Sequence, residues 1–454
     1  MSRNRRPKRI PLRERLAWRP VLYEAFAKVT SGANPDSAGP DGVTIDCFRK
    51  SAKAELAKLR DEIKHGEYSP SLGRGVAIPK KPGVITPATA RPITVFNVRD
   101  RIVQRAILNL IWPHVRDSVF SEVSFGGIRT YAIRGGQIKS CLDTRKNVRA
   151  AAKKILELKL DGYGFTFETD IQRFFPSIDK DILRNELRRH LPEDSLDDLI
   201  ERSIATNVSN FDDLEFRGLS ECWDPMHGVP QGGVLSPLLA NLYLAPFDRA
   251  MTSAGFNLVR YVDDLVVLTK SQEEAIDAFN LSKTLLSDVG LTIHGLNDVN
   301  EKGKIKTRIV ALNQPFDFLG LTFNKQSVQP SQSKVADLRD RVKEITHART
   351  GRKTLVDIVV SLNRMLRGWM SSYEFCDIPV RLLTQIDHVA RTGLASWMTY
   401  HKIVHSQNAL TPELQRKIGL WTVNEAEIRP VSKIVFGTNS RHKTTQAIVD
   451  RVEA

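Results

Sequence analysis

Two short apolar runs, residues 256–261 and 265–269, flank the step Val262-Asp263-Asp264. Strand-forming residues on both sides of a short polar break make a hairpin, with an Asp-Asp pair at its tip. Like charges on neighbouring residues are unfavourable unless a cation sits between them. A third alternating run, residues 165–171, carries Asp170 at its end, 93 positions before Asp263. Pairing of these strands would bring Asp170 alongside and create an all-oxygen site suited to Mg²⁺. Two such ions about 4 Å apart can activate a 3′-hydroxyl and stabilise a leaving pyrophosphate. A polar turn is the ordinary reading of an isolated Asp-Asp, but here apolar strands continue on both sides.

The chain around this centre has 454 residues, enough for two to four domains. Its 67 Lys and Arg against 52 Asp and Glu leave a formal charge of +15, which points to a polyanionic partner such as nucleic acid. Residues 1–20 hold eight Lys/Arg against Glu14 alone, and residues 334–353 hold seven basic and three acidic residues. The second block has Val335, Leu338, Val342 and Ile345 at helical spacing with charges on the other face. The two blocks read as walls of a groove for a long backbone. Four cysteines without a CxxC pair argue against a zinc ribbon and a disulfide framework, and the cytoplasm is the expected location. No apolar run is long enough to span a membrane, and no signal peptide is expected.

Helices are expected at about 45–64, 99–117, 145–159, 179–204, 236–253 and 272–288. Strands are expected at 75–79, 165–171, 256–261, 265–269, 290–294, 308–312 and 316–323. Ser236-Pro237 reads as an N-cap followed by proline at the first helical position. From 334 onward the pattern is helical. The order is helix-rich, then mixed, then helical, an α+β class.

Three stretches carry a resemblance. Residues 170–178 (Asp-Ile-Gln-Arg-Phe-Phe-Pro-Ser-Ile), 228–244 (beginning Gly-Val-Pro-Gln-Gly-Gly-Val-Leu-Ser-Pro) and 261–268 (Tyr-Val-Asp-Asp-Leu-Val-Val-Leu) resemble motifs A, B and C of bacterial reverse transcriptases of the group II intron lineage. Residues 76–83, 91–95 and 100–104 resemble the fingers motif. Lys306-Thr307 resembles motif D, and residues 316–320 the primer grip. Residues 38–44 resemble the N-terminal segment of this lineage, and residues 362–373 the thumb, or maturase region. The similarity covers about residues 35–380.

The resemblance implies a right-hand polymerase with fingers, a palm of antiparallel sheet plus helices, and a helical thumb. The boundaries expected are an N-terminal extension at 1–75, fingers at 76–160, palm at 161–325 with a fingers insertion near 205–230, thumb at 330–400 and a C-terminal extension at 401–454. The implied activity is RNA-directed DNA synthesis with two Mg²⁺, Mn²⁺ being an alternative. By the same resemblance Asp170, Asp263 and the carbonyl of Ile171 would hold the metals, and Asp264 would support the edge of the site. Lys306 would be the general acid for pyrophosphate. Lys80 and Arg91 would bind the triphosphate. Phe175 would gate against a ribose 2′-hydroxyl, strand alternation turning one of Phe174 and Phe175 inward and the other to the pocket. Gln231 and Gly232 would sit at the nascent base pair, glycine allowing close backbone approach. Phe318 and Gly320 in the primer grip and Arg364 and Arg367 on the thumb would contact nucleic acid. Trp369 and Tyr373, four apart, read as core.

Val262 stands where intron-encoded enzymes usually carry alanine, and residues 124–136 depart from the usual second fingers motif. No Cys/His nuclease signature appears. These departures suggest a non-intron relative copying a dedicated structured noncoding RNA, as in antiphage defence; a group II intron maturase is the alternative. The expected partners are template RNA, DNA product and deoxynucleotides, with a second copy or a partner protein left open.

Overall fold

The structure is a computed structural model describing residues 10–436, apart from 32, 81–82, 88, 120–122, 128–129, 135–136, 142–143, 224–226, 300–302, 304, 348–352 and 407–409. The start of the first basic block, part of the 124–136 segment, and Ser440 with the end of the C-terminal extension lie outside the described residues. Backbone packing divides the chain into two units. The first comprises 1–142, 168–266 and 277–308, and the second 143–167, 267–276 and 309–454.

The first unit is organised by two helices that are apolar on most sides and therefore enclosed by protein. Val98–Val119 buries Ile102, Val103, Ala106, Ile107, Ile111 and Val115. Ser236–Ser253 buries Leu238, Leu239, Leu242, Leu244 and Met251. Strands β1 (Arg74–Pro79) and β2 (Ala90–Val95) pair antiparallel with Ile78 opposite Arg91. A second hairpin joins β3 (Thr130–Arg134) and β4 (Gln137–Cys141). β5 (Phe165–Asp170), β6 (Asn257–Tyr261), β7 (Asp264–Thr269) and β8 (Arg308–Ala311) form one sheet in the order β6-β7-β5-β8. Three of these strands have residues in both units. Arg13, in the first basic block, pairs with Asp198 at 3.4 Å, so that residue is spent on the protein's own acid.

In the second unit, β9 (Phe316–Phe318), β10 (Leu321–Phe323) and β11 (Val328–Pro330) make a small sheet ordered β11-β10-β9. Helices Gln332–Thr346, Leu355–Tyr373 and Val380–Tyr400 follow. Thr354 and Asp357 close a capping box at the start of the middle helix. Val342, Ile358, Leu362, Leu394, Trp397 and Met398 form the core beneath them. The apolar spacing read from the sequence is realised, with Val335, Leu338 and Val342 buried. Among the described residues no helix is long and apolar enough to cross a membrane.

Several local expectations are corrected. The run at 179–204 is two helices, Lys180–Arg188 and Asp197–Ser203, because Pro192 cannot continue the first. Residues 290–294 form only a bridge between Ile293 and Ile171. Strands β2, β3, β4 and β11 were not expected, since their residues lie in stretches dominated by turn formers or lack clean alternation. Ser236 is not an N-cap. The helix cap is Leu235, and the Ser236 hydroxyl donates to the Pro230 carbonyl at 2.7 Å, fastening the preceding loop.

Candidate active site

The centre is assembled by backbone pairing within the first unit. At the end of β5, Ile171 N–H donates to the Asp263 carbonyl at 3.0 Å, and Gln172 N–H to the Thr292 carbonyl at 2.9 Å. The Asp263 turn is thereby tied beside Asp170. Thr169 and Thr307 hydroxyls meet at 2.7 Å in the buried layer below. That contact places the next residue, Lys306, with its Nζ 2.5 Å from Asp170 Oδ2. Glu168 pairs with Arg308 one step further along the same two strands.

The carboxylates strain against their surroundings. Asp264 is pushed up to about 7, first by burial and then by the charges of Asp263 and Asp170. Asp263 is also raised, again by burial first, with Lys306 and Arg91 partly offsetting the repulsion. Both carboxyls keep some contact with solvent. The dense protein around them, rather than full enclosure, is what penalises the charge.

Oxygen ligands carrying excess negative charge fit a hard dication. Asp170 Oδ1 is buried with no hydrogen-bond partner, the condition of an atom awaiting a cation. Among the described residues no three acidic, His or Cys side chains already stand close enough to grip one ion.

Around this centre the loop at 228–233 is bonded on two sides. Gly228 N–H donates to the Ile178 carbonyl and Val229 N–H to the Phe175 carbonyl, at 2.9 and 3.0 Å. On the other side Thr94 N–H donates to the Gln231 carbonyl at 2.7 Å. Gly232 has φ +102, and a Cβ there would lie 2.7 Å from the Thr94 carbonyl oxygen. Its lack of a side chain is thus required by strand β2. Arg91 lies exposed on β2, close enough to act electrostatically on Asp263. Lys80 follows β1 and is exposed, its N–H bonded to the Thr89 carbonyl.

Phe174 and Phe175 do differ in burial, but not by strand alternation. The strand has ended, Arg173 turns the chain at φ +46, and the rings sit on the short helix Phe174–Ser177. Phe174 is 2% exposed, while Phe175 is half-buried.

The second unit redistributes the remaining candidates. Phe318 is 7% exposed, its ring buried rather than presented at the surface. Gly320, at φ +73, lies against the aliphatic stem of Lys334. Arg364 is exposed and lines a groove of 560 Å³ with Lys334, Arg341, Trp369 and Tyr373. Arg367 instead stacks over the Trp421 ring, 5.3 Å from its centroid. Trp369 and Tyr373, read from the sequence as core, are half-buried groove residues whose rings lie 4.8 Å apart. Leu362, Leu366 and Met370 occupy the core face of that helix instead.

Sequence reasoning missed Arg260, which is fully buried immediately before the Asp263-Asp264 turn. The signal was present: a lone arginine inside an apolar strand must find buried acceptors. The Glu168–Arg308 and Thr169–Thr307 pairs were also missed, because strand neighbours that are distant in sequence cannot be paired without the sheet order.

A carboxylate centre on a sheet, a loop-to-helix element beside it and basic groups around it define a nucleotidyltransferase of the polymerase type. The chain belongs to the reverse transcriptase (RNA-dependent DNA polymerase) family, whose model matches residues 78–323. The group II intron maturase-specific domain matches residues 335–409. The chain is 31% identical over 349 residues to protein YkfC of Escherichia coli (strain K12), covering 67% of this chain and 81% of that protein. It is 26% identical over 232 residues to the group II intron-encoded protein LtrA of Lactococcus lactis subsp. cremoris, covering 50% of this chain and 33% of LtrA. Thus the chain spans most of YkfC but a third of LtrA. A solved partial Cas6-RT-Cas1–Cas2 complex matches at 22% identity and a TM-score of 0.34, over 62% of this chain and 42% of that one. The enzyme is an RNA-directed DNA polymerase, and reverse transcriptases in general use divalent metal ions.

Proposed function

We propose that the chain copies a dedicated structured noncoding RNA into DNA, as part of an antiphage defence system. The observation that carries the catalytic half is the convergence of Asp170, Asp263 and Asp264 with Lys306 at the ends of paired strands. Asp170, Asp263 and the Ile171 carbonyl would hold two Mg²⁺, with Asp264 supporting the edge. When bound, these ions would lower the pKa of the primer hydroxyl and neutralise the departing pyrophosphate. Lys306, positioned on Asp170, would hold the proton for the leaving group. Arg91 and Lys80 would grip the triphosphate, Arg91 as a fork and Lys80 as a point charge. Phe175 would exclude a 2′-hydroxyl, and Gln231 and Gly232 would border the new pair. Arg364, with the groove it lines, would track the duplex backbone. Supporting a non-intron template are Val262 in the Asp-Asp box and the departure at 124–136.

The match of residues 335–409 to a maturase-specific domain favours a second reading, in which the chain folds an intron RNA. One experiment separates them: isolate the protein from its host and sequence the bound RNA and DNA beside an Asp263→Asn control. A dominant small RNA with complementary DNA that vanishes in the variant supports the dedicated template. Intron RNA with little DNA supports the maturase, and heterogeneous nucleic acid unchanged in the variant refutes both.

A further inference from the structure

Arg260 sits at the end of β6, two residues before Val262, and is fully buried. A guanidinium has five N–H donors. Here all five are used. Nε and Nη2 fork onto the Asp248 carboxylate at 2.7 and 2.6 Å. Nη2 also donates to the Ser124 hydroxyl at 3.0 Å, and Nη1 to Asn241 Oδ1 at 3.1 Å. The remaining Nη1 hydrogen goes to the Val262 carbonyl at 3.0 Å.

The acceptors are equally committed. Asp248, Asn241 and Ser124 are 3%, 1% and 3% exposed. Asn241 Oδ1 accepts from Ser124 at 2.8 Å, and its amide nitrogen donates to the Gly126 and Pro237 carbonyls. Asp248 and Asn241 lie on the helix Ser236–Ser253, whose first turn holds the Gln231 loop. Segment 123–125 is bonded to Arg260 on both sides, through Val123 O and Phe125 N.

The acceptor at the end of this network is unusual. Val262 has φ +59, a conformation that β-branched residues rarely adopt. Gly126 lies so close that a Cβ would come within 2.7 Å of Val262 N. The next peptide is the one whose carbonyl receives the Ile171 N–H beside Asp170.

We propose that Arg260 is a positioning residue for nucleotidyl transfer: through the Val262 carbonyl it holds the left-handed turn that aims Asp263 at Asp170, and it couples that turn to the Gln231 loop through Asp248 and Asn241. This rests on the catalytic reading of Asp170 and Asp263. Arg260 touches no substrate, so its loss acts on the geometry of the carboxylates rather than on nucleotide affinity.

The test uses full-length Arg260→Lys and Ser124→Ala on a primed RNA template. Lysine keeps a cation opposite Asp248 but cannot reproduce the fork and the Val262 contact together. Arg260→Lys should lose on the order of 10²-fold in kcat, the scale of an ångström-level misplacement. KM for deoxynucleotides should stay within about threefold. The Mg²⁺ concentration for half-maximal rate should rise, and the Mg²⁺-induced increase in Tm should shrink. Ser124→Ala should move in the same direction by about three- to tenfold in kcat, by the same reasoning. Wild-type kcat in folded Arg260→Lys, or a loss confined to KM, overturns the proposal. Should Arg260→Lys not fold, Ser124→Ala with unchanged kcat and Mg²⁺ dependence overturns it equally. A wild-type protein that extends no primed template while its Tm still responds to Mg²⁺ would instead count against the catalytic reading, and the Tm response of the variants would still decide this one.

Discussion

Neutralising Asp264 should stabilise the protein while damaging its chemistry. In the folded chain burial, followed by repulsion from Asp263 and Asp170, raises this carboxyl from 3.8 to about 7. The folded state therefore holds its proton more tightly than the unfolded chain does. Between these values stability falls as pH rises, and above pH 7 the full cost of the buried charge is carried. A rise of about 3 units at 1.36 kcal/mol each gives about 4 kcal/mol. Solvent contact at the half-buried carboxyl trims this to about 2–4 kcal/mol. In chelator, urea unfolding at pH 8 should show Asp264→Asn more stable than wild type by that amount. At pH 5 the gain should drop to roughly 40% of its pH 8 value, because the wild-type carboxyl is then already protonated when folded. Adding Mg²⁺ should stabilise the wild type more than the variant, since a ligand that binds only the folded state adds to its stability. An Asn variant no more stable at pH 8, or equally stabilised at both pH values, would refute the account of a charge held against its preference.

Two further substitutions probe other parts of the molecule. Phe175→Val should admit ribonucleotides, read as a fall of at least tenfold in the dNTP-to-rNTP ratio of kcat/KM with little change for deoxynucleotides; an unchanged ratio would remove Phe175 from the gate. Burial lowers the Lys159 ammonium to about 8, and it donates to the Asn324 carbonyl beneath the Phe316 ring. Its folded form binds its proton less tightly than the unfolded chain, so wild-type stability should rise from pH 8 towards 10.5. Lys159→Met should then gain about 1–3 kcal/mol at pH 7, the discounted worth of 2.5 units, with the gain closing at high pH. Urea midpoints that do not converge at high pH would contradict this.

Apolar periodicity was legible wherever one face is buried against a single core. Val335, Leu338 and Val342 take the places their spacing assigns, and the residues flanking Asp263 form strands. The short edge strands β2 and β11 were not legible, because their pairing partners, rather than their own sequences, make them strands. The reading of Trp369 and Tyr373 as core failed for a related reason. Spacing four apart puts two rings on one face but does not say whether that face meets protein or a groove.

The motif residues were visible as a linear set because their types are uncommon in such surroundings: adjacent carboxylates in a strand turn and glycines before a proline-opened helix. Those are local facts, since side-chain charge and backbone freedom belong to each residue. What only the tertiary structure decided is which distant groups share one dielectric environment. Lys306 meets Asp170 from 136 positions away, Arg260 finds Ser124 from 136 and Asp248 from 12, and Gly232 owes its identity to Thr94. Ionisation, hydrogen-bond saturation and close packing depend on distances of a few ångströms, and sequence separation carries no information about distances of that kind until the sheet order and helix packing set them.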